Sequence, residues 1–249
     1  MARVISRSNE LKNKVGRFKT GIIVSVSFTV MVFLLWTLNI VFIRSFNPIF
    51  LFFTFVCFGA GGFSSVILFN GYSRYKAGLD GEERVQNLVS ELPDSYVGIT
   101  NAKVCYQNKS SELDMVVVGP TGIFVIEVKN HKGTICGNYN DQYLCYNKIS
   151  SGGNCYQSSM YNPVRQVGTH TYRLSHFLKA NGVTNWINSI VYFANPQAIV
   201  ELNGTEEGAK VFDCMSGGYG ELKQYIVGAD RNTMTSEEIN KAVSLLVRC

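Results

Sequence analysis

The sequence lacks the cysteine spacing that marks common zinc and redox sites. It contains seven cysteines in 249 residues, and no two of them stand in a C-x-x-C arrangement. Zinc knuckles and thioredoxin-type sites both depend on such close pairs, so neither class is supported. We expect reduced, partly buried thiols in a cytosolic compartment.

Excess positive charge is missing from the larger, C-terminal part of the chain. Residues 71–249 contain 16 Lys and Arg against 17 Asp and Glu, although the whole chain carries a formal charge of +5. The excess comes from residues 1–20, which contain six basic residues and one acid. The C-terminal part is therefore not a generally basic nucleic-acid binder, and any such binding must use a local patch.

Charged residues are also absent from two long stretches near the N-terminus, residues 21–43 and 49–69. As helices, each would reach about 30 Å, the thickness of a bilayer's hydrocarbon core. Only residues 44–48 connect them, so the two spans would form a hairpin. A cleaved signal peptide has a shorter apolar region and no second span so close behind it. The sequence therefore predicts a transmembrane helical hairpin over residues 21–70 that contacts the lipid bilayer.

The basic residues predict the orientation of this hairpin. Six precede the first span, only Arg44 lies in the connection, and Arg74 and Lys76 follow the second span. By the positive-inside rule, both termini are cytoplasmic in a multi-pass protein of the plasma (inner) membrane. The predicted segments are a basic cytoplasmic tail (1–20), the hairpin (21–70), a juxtamembrane linker (71–77) and a cytoplasmic domain (78–249).

The domain begins with helical and strand patterns in turn. Apolar residues from Val85 to Leu92 recur at helical spacing, and Pro93 ends that helix. Strand-like runs follow at residues 96–106, and then two apolar runs, 114–118 and 123–129, flank Gly-Pro-Thr-Gly in a hairpin pattern.

The rest of the domain continues this alternation. Residues 137–160 are polar and predict loops or short strands. The later predictions are a helix from the cap Asn162 and Pro163 to Ala180, strands at Ile187–Phe193 and Lys210–Cys214, and a last helix opened by a Thr235–Glu238 capping box. This order is that of one α/β domain with a mixed sheet.

The hairpin has two possible registers. If residues 119–122 form a four-residue loop, Val118 faces Ile123 and Asp114 faces Glu127, with their Cβ atoms about 5 Å apart. Lys129 then projects to the same side as Glu127. A three-residue loop with a bulge at the second glycine would shift the pairing by one. We favour the first register because of the chemistry it would assemble.

Two carboxylates at this distance on an apolar hairpin would repel each other, and a divalent cation such as Mg²⁺ (or Mn²⁺) would relieve that repulsion. Lys129 would lower the pKa of an attacking water or stabilise charge on a phosphate. A solvated cross-strand ion pair is the alternative. Glu82 lies on the core face of the preceding helix and needs a partner there, either a metal or Lys129. Its alternative role is a first-turn interaction with the helix dipole.

Three strings stand in this order along the chain: Gly78-x-x-Gly81-Glu82, the segment from Ser111 to Asn130, and Asn162-Pro-x-x-Gln166-x-x-x-His170. Together they resemble the nuclease-related domain (NERD) family of PD-(D/E)xK nucleases. The resemblance covers roughly residues 78–195. It implies a restriction-endonuclease-like mixed sheet flanked by helices, and metal-dependent hydrolysis of nucleic-acid phosphodiester bonds.

By this resemblance, Asp114 and Glu127 would be metal ligands and Lys129 the catalytic lysine. Glu82 would be the supporting acid, included with the metal-binding and catalytic group, and Gln166 would contact the site or the substrate. Met115 departs from the family pattern, because relatives often carry histidine after the aspartate. It points away from the carboxylate side of the hairpin.

A polar stripe predicts where the substrate binds. Gln166, His170 and Arg173 follow one another at helical spacing, either as a substrate-facing stripe or as an ordinary polar face. Residues 129–179 hold six basic residues against one acid, and Lys132 is among them. Five tyrosines interleave with these cations, either as base-stacking or as packing residues: Tyr139, Tyr143, Tyr146, Tyr156 and Tyr161.

Two functions remain open at this point. The first is a membrane-anchored, Mg²⁺-dependent nuclease that acts on DNA at the cytoplasmic face. The second is a catalytically silent scaffold that uses a nuclease fold to bind nucleic acid or protein at the membrane. The sequence leaves RNA as a substrate, the cleavage polarity and the oligomeric state undecided, and fold alone cannot decide between the two functions.

Overall fold

A computed structural model describes residues 1–6, 10–43, 48–149, 155–215, 217–230 and 233–248. The chain divides into two compact units. One unit contains Met1–Ser8 and Asp80–Cys249, and the other contains Asn9–Leu79. The predicted turn between the two spans is residues 44–48. Residues 44–47 lie outside the described residues, and Pro48 begins a helix.

Two long helices account for the second unit, and the later one extends beyond it to Ser90. Helix α1 (Glu10–Leu38) continues into a π-helical turn at Asn39–Ile43, and helix α2 covers Pro48–Ser90. Both helices are long and apolar enough to cross a membrane, and large apolar side chains such as Phe33 and Phe55 are exposed along them. The two N-terminal helices could therefore span a bilayer, as predicted.

Helix α2 does not stop between the apolar stretch and the domain. The sequence predicts a linker at residues 71–77 and a new helix near Gly78, but the helix is continuous through this region. Glycine lowers helix stability by only about 1 kcal/mol relative to alanine, which neighbouring turns can offset. Glu82 therefore lies in a helix interior. The alternative that placed Glu82 in a first turn, where it would interact with the helix dipole, is therefore wrong.

A hydroxyl cluster joins α1 to α2 within the apolar region. Ser25 Oγ lies 2.6 Å from Ser64 Oγ and 2.9 Å from Ser65 Oγ, and it donates a 3.1 Å hydrogen bond to the Gly61 carbonyl. A Cβ atom at Gly61 would collide with Thr29 Oγ1. Small residues that allow backbones to approach, together with hydroxyl hydrogen bonds, are what holds transmembrane helices together. This cluster therefore fixes the hairpin.

We expect Gly61→Leu to separate the hairpin helices and lower the unfolding free energy by about 1–3 kcal/mol, as overpacking does in other cores. Gly62→Leu is the matched control, because a Cβ atom at Gly62 meets nothing within 4 Å. Thermal unfolding of the full chain in detergent measures the difference. Equal midpoints for the two variants would show that the helices do not meet at Gly61.

The described part of the other unit contains two sheets. In chain order its strands are β1 (Arg3–Ile5), β2 (Val97–Tyr106), β3 (Lys109–Gly119), β4 (Gly122–Lys129), β5 (Gly133–Asn138), β6 (Tyr143–Ile149), β7 (Cys155–Tyr161), β8 (Ile187–Phe193), β9 (Ala198–Asn203) and β10 (Lys210–Asp213). The larger sheet has the order β1-β2-β3-β4-β8-β10 and the smaller one β7-β6-β5-β9. The larger sheet is mixed, because β2–β3–β4 pair antiparallel while β4–β8–β10 pair parallel.

Helices cover both faces of the larger sheet. They are α3 (Pro163–Ala180), α4 (Gly218–Gly228), α5 (Ser236–Arg248) and the C-terminal end of α2. One core contains Val116 and Val125 with residues of α3 and α5. The other contains Phe124 with residues of α2 and α4. This arrangement confirms the mixed α/β fold with flanking helices.

The helix ends agree closely with the sequence prediction. Asn162 caps α3 by accepting a 3.0 Å hydrogen bond from the Val164 N–H, and α3 ends at Ala180. The capping box before α5 is also confirmed, since Thr235 N donates to Glu238 Oε2 at 2.8 Å and Glu238 N donates to Thr235 Oγ1 at 3.3 Å.

Strand β1 is an element that the sequence analysis did not predict. Residues Arg3–Ile5 pair in parallel with Val97–Ile99, and Ala2 N donates a 2.7 Å hydrogen bond to Leu92 O. The beginning of the predicted basic tail is therefore part of the larger sheet. Three residues are too short for a periodic strand pattern, so only the partner strand reveals it.

Candidate functional site

The β3–β4 hairpin brings Asp114 and Glu127 together. Val118 pairs with Ile123 and Met115 with Ile126, which confirms the favoured register and excludes the shifted one. The ladder ends at Met115, and there the Asp114 Oδ2 atom accepts a 2.8 Å hydrogen bond from the Val128 N–H. Asp114 therefore takes the place of a backbone acceptor where the two strands separate.

Glu127 and Lys129 continue β4 and face helix α3. Lys129 Nζ donates to Glu127 Oε1 at 2.7 Å and to Gln166 Oε1 at 3.0 Å. His170 Nε2, one turn further along α3, lies 3.8 Å from Glu127 Oε2. The Glu127 side chain is only 4% exposed and that of Lys129 19%. The result is a largely buried lysine between a carboxylate and an amide.

Burial and the charges of neighbouring side chains shift the pKa values of Asp114, Glu127 and His170. Burial, followed by the charge of Glu127, raises the pKa of Asp114 to about 7. Burial also raises the pKa of Glu127, while Lys129 opposes the increase and the charge of Glu82 adds to it. Burial, with the charges of Arg173 and Lys129, lowers the pKa of His170 to about 4. Asp114 and Glu127 therefore share the charge of one lysine, Glu82 adds repulsion at Glu127, and the histidine is neutral at pH 7.

A glycine explains how Glu82 comes near this cluster. A Cβ atom at Gly81 would lie 2.7 Å from Asn130 Cβ and 3.5 Å from Val128 Cγ1, so α2 contacts the end of β4 more closely than a larger residue allows. Arg84 secures the same approach by donating to the Ala194 carbonyl at 2.8 Å. Glu82 is half-buried, and its charge acts on Glu127.

The donor set fits a hard divalent cation. In the described residues, no three His, Cys, Asp or Glu side chains are grouped to hold one metal ion. Mg²⁺ needs only one or two carboxylates besides water and phosphate, and Mn²⁺ favours similar ligands. Asp114 and Glu127 supply such a pair, with Glu82 adding negative charge.

Comparison with known proteins agrees with this arrangement of elements. Residues 77–194, from α2 to the end of β8, match the model of the nuclease-related domain family. The chain carries a nuclease-related domain. This confirms the resemblance inferred from the sequence motifs.

A second comparison gives a partial relative. An uncharacterized protein of Bacillus anthracis is 36% identical over 63 residues, which are 24% of this chain and 30% of that protein. The match therefore spans about a third of the relative's length. No solved structure matches the chain.

Two residues predicted to bind substrate lie outside the cluster of the nuclease-related domain. Arg173 Nη1 donates to Ser110 O at 3.0 Å and to Ser111 Oγ at 2.6 Å, so it joins α3 to the start of β3. Lys132 is exposed between β4 and β5. Gln166 and His170 do reach the cluster. Helical spacing puts Gln166, His170 and Arg173 on one stripe of α3. That stripe contacts β4 at Gln166 but the start of β3 at Arg173.

Met115 packs on the opposite side of the sheet. It is buried in the core that contains Phe124 and Ile126, while Glu127 and Lys129 face α3. The departure from the family pattern at this position therefore leaves the carboxylate cluster unchanged, as the sequence predicts.

Asn162 is a positioning residue whose full role the sequence did not reveal. Its side chain is completely buried, and Nδ2 donates to the carbonyls of Tyr139 at 3.0 Å and Asp141 at 2.8 Å. It also caps α3. The asparagine thus fixes the end of the β5–β6 hairpin to the helix that carries Gln166.

Asn101 was also missed, because no local pattern marks it. It has a φ of 51° and is buried. The neighbouring pairs Thr100–Met115 and Ala102–Leu113 place it opposite Asp114. Asparagine tolerates the left-handed region better than most residues, and such conformations often occur beside functional groups.

We expect Asn162→Ala to lower the unfolding free energy by about 2–4 kcal/mol, since it removes a helix cap and leaves buried carbonyls without a donor. Asn162→Ser is the matched control, because serine still caps a helix but cannot reach the carbonyls. Urea unfolding of the full chain in detergent gives both values. If the alanine variant were as stable as the wild type, Asn162 would not hold α3 in place.

Proposed function

We propose that the nuclease-related domain hydrolyses nucleic-acid phosphodiester bonds with Mg²⁺ or Mn²⁺. The observation that carries this proposal is the convergence of Asp114, Glu127 and Lys129 at the end of β4. Asp114 and Glu127 would hold the ion, with Glu82 as the supporting acid. A bound divalent ion would supply Lewis-acid stabilisation of the phosphate and a more acidic water.

Lys129 would act on the phosphate or on the attacking water. Its ammonium is held at hydrogen-bond distance by Glu127 Oε1 and Gln166 Oε1. A positioned cation costs no reorganisation when charge develops on a phosphate oxygen. Gln166 would orient the lysine. Because His170 is neutral, Lys129 and the metal would supply the positive charge at the site.

We propose DNA as the substrate, bound by a local surface. Tyr143 and Tyr161 are exposed and pack edge to face, with their ring centroids 5.9 Å apart. Tyr139 and Tyr146 instead pack against the core and are excluded as stacking residues. Arg165 is exposed at the start of α3. Exposed aromatic rings beside cations bind bases and phosphates of nucleic acids.

We propose that the domain lies at the cytoplasmic face of the plasma membrane. Strand β1 precedes the first candidate span, and its partner β2 follows the second. Residues that pair in one sheet lie on one side of a membrane, so the intervening segment must cross it an even number of times. The basic residues before the first span favour the cytoplasm.

A catalytically silent scaffold is the second candidate. It is favoured by the engagement of both carboxylates with protein donors, Asp114 with Val128 N–H and Glu127 with Lys129. Such contacts satisfy buried carboxylates without a metal. This candidate predicts nucleic-acid or protein binding that does not depend on divalent ions.

Titration of Mn²⁺ into the full chain in detergent, followed by calorimetry, separates these candidates. The nuclease proposal predicts binding to the wild type and its loss in Asp114→Asn. Glu112→Gln is the matched control, because Glu112 lies on the same strand but faces the exposed Lys103 at 3.8 Å. Absence of binding to the wild type, or unchanged binding to Asp114→Asn, would favour the scaffold.

A further inference from the structure

Two cysteines lie directly opposite each other in the smaller sheet. Cys136 of β5 pairs with Cys145 of β6. Their neighbours Ile135 and Leu144 are fully buried in the core, so both cysteines project from the other face of the sheet, where they are half-buried free thiols. Directly opposed antiparallel residues have Cα atoms about 4.5–5.5 Å apart, within the roughly 4.4–6.8 Å that a disulfide spans.

The arrangement is specific to this pair among the cysteines whose side chains the structure describes. Cys57 lies on α2 in the membrane-spanning unit, Cys105 is on β2, and Cys214 follows β10. Cys155 of β7 pairs with Ile149 and not with a cysteine. Strand register therefore selects Cys136 and Cys145.

We propose that Cys136 and Cys145 are a redox-active pair that hydrogen peroxide converts into a reversible disulfide. One thiolate attacks a peroxide oxygen, which breaks the O–O bond, forms a sulfenic acid and releases hydroxide. The second thiolate attacks that sulfur, forms the S–S bond and displaces a second hydroxide. With the two thiol protons, the products are one disulfide and two waters. Peroxide is reduced and the two sulfurs are oxidised.

The position of this pair links it to the helix that carries Gln166. Cys136 and Cys145 are the last paired residues before the end of the β5–β6 hairpin. That end carries the Tyr139 and Asp141 carbonyls that accept hydrogen bonds from Asn162. Oxidation would therefore link β5 and β6 covalently next to the loop that Asn162 connects to α3. The modification does not depend on the proposed nuclease activity, because neither thiol belongs to the carboxylate cluster.

Peptide mass mapping tests the pair directly. The full chain in detergent is treated with hydrogen peroxide, remaining thiols are alkylated, and trypsin is added. Trypsin releases residues 133–148 as one peptide, which contains both cysteines and no other. We expect this peptide to lose the mass of two hydrogen atoms and to carry no alkyl group, whereas the Cys105 peptide remains alkylated. Dithiothreitol before alkylation restores two alkyl groups.

Single variants and unfolded protein are the controls. Cys136→Ser and Cys145→Ser must each abolish the two-hydrogen loss. Oxidation of the protein in urea must also produce disulfides between other cysteines, because the strands no longer hold this pair together. The proposal is overturned if the native 133–148 peptide keeps two alkyl groups while other cysteines oxidise. It is also overturned if Cys136 or Cys145 pairs with a different cysteine.

Discussion

Replacing Glu127 with glutamine is expected to abolish metal-dependent cleavage, with a loss of at least roughly 100-fold. Glutamine keeps the size of the side chain and can still accept a hydrogen bond from Lys129, but it removes the negative charge that would hold a divalent ion. Glu127 is almost completely buried, so water cannot replace that charge. Single-turnover cleavage of labelled DNA measures the effect.

The control for this variant is Glu112→Gln, which removes a carboxylate that pairs with Lys103 on the neighbouring strand and has the smallest effect on Asp114. Thermal unfolding of both variants must show that they remain folded. Cleavage by Glu127→Gln within a few-fold of the wild type would remove Glu127 from the site and with it the two-carboxylate account of metal binding.

Lys129→Met is expected to separate catalysis from metal binding. Methionine preserves most of the aliphatic chain and removes the ammonium that lies between Glu127 and Gln166. We expect cleavage to fall by roughly 10²–10⁴-fold, as for other residues that assist proton transfer or stabilise developing charge. Mn²⁺ binding should persist, because Asp114 and Glu127 remain and a repelling positive charge is gone.

Lys132→Met is the matched control for Lys129→Met, since Lys132 is an exposed lysine on the following loop. It is expected to change cleavage only slightly. If Lys132→Met were as inactive as Lys129→Met, general charge would explain the activity better than a positioned lysine. If Lys129→Met lost Mn²⁺ binding as well, the lysine would organise the carboxylates instead of acting on the substrate.

The parts of the site that follow from strand geometry were predictable from the sequence. A hairpin with matching apolar runs has few registers, and the one that pairs Val118 with Ile123 necessarily sets Asp114 beside Glu127. The side-chain alternation of a strand puts Lys129 on the same face. Asn162 as a cap and Pro163 as the first helical residue predicted the start of α3, and therefore the position of Gln166.

The parts that depend on distant contacts were not predictable. Glycines suggested a new helix near Gly78, whereas the helix that begins at Pro48 passes through it. Strand β1 is recognisable only from its pairing with β2. Arg173 shares a helix stripe with Gln166 but meets the Ser110 carbonyl instead of the carboxylates. In each case a contact with a residue distant in sequence determines the local structure, and the local sequence pattern does not encode that contact.

Cleavage by the full wild-type chain in detergent is the deciding measurement for the proposed nuclease activity. Linear DNA, circular DNA and RNA are incubated with the protein and Mg²⁺, Mn²⁺ or EDTA, with Lys129→Met as the parallel sample. We expect DNA to be cut with either metal, EDTA to prevent cutting, and Lys129→Met to leave the DNA intact. Intact substrates in every wild-type reaction, or equal cleavage in EDTA, would contradict the proposed metal-dependent nuclease.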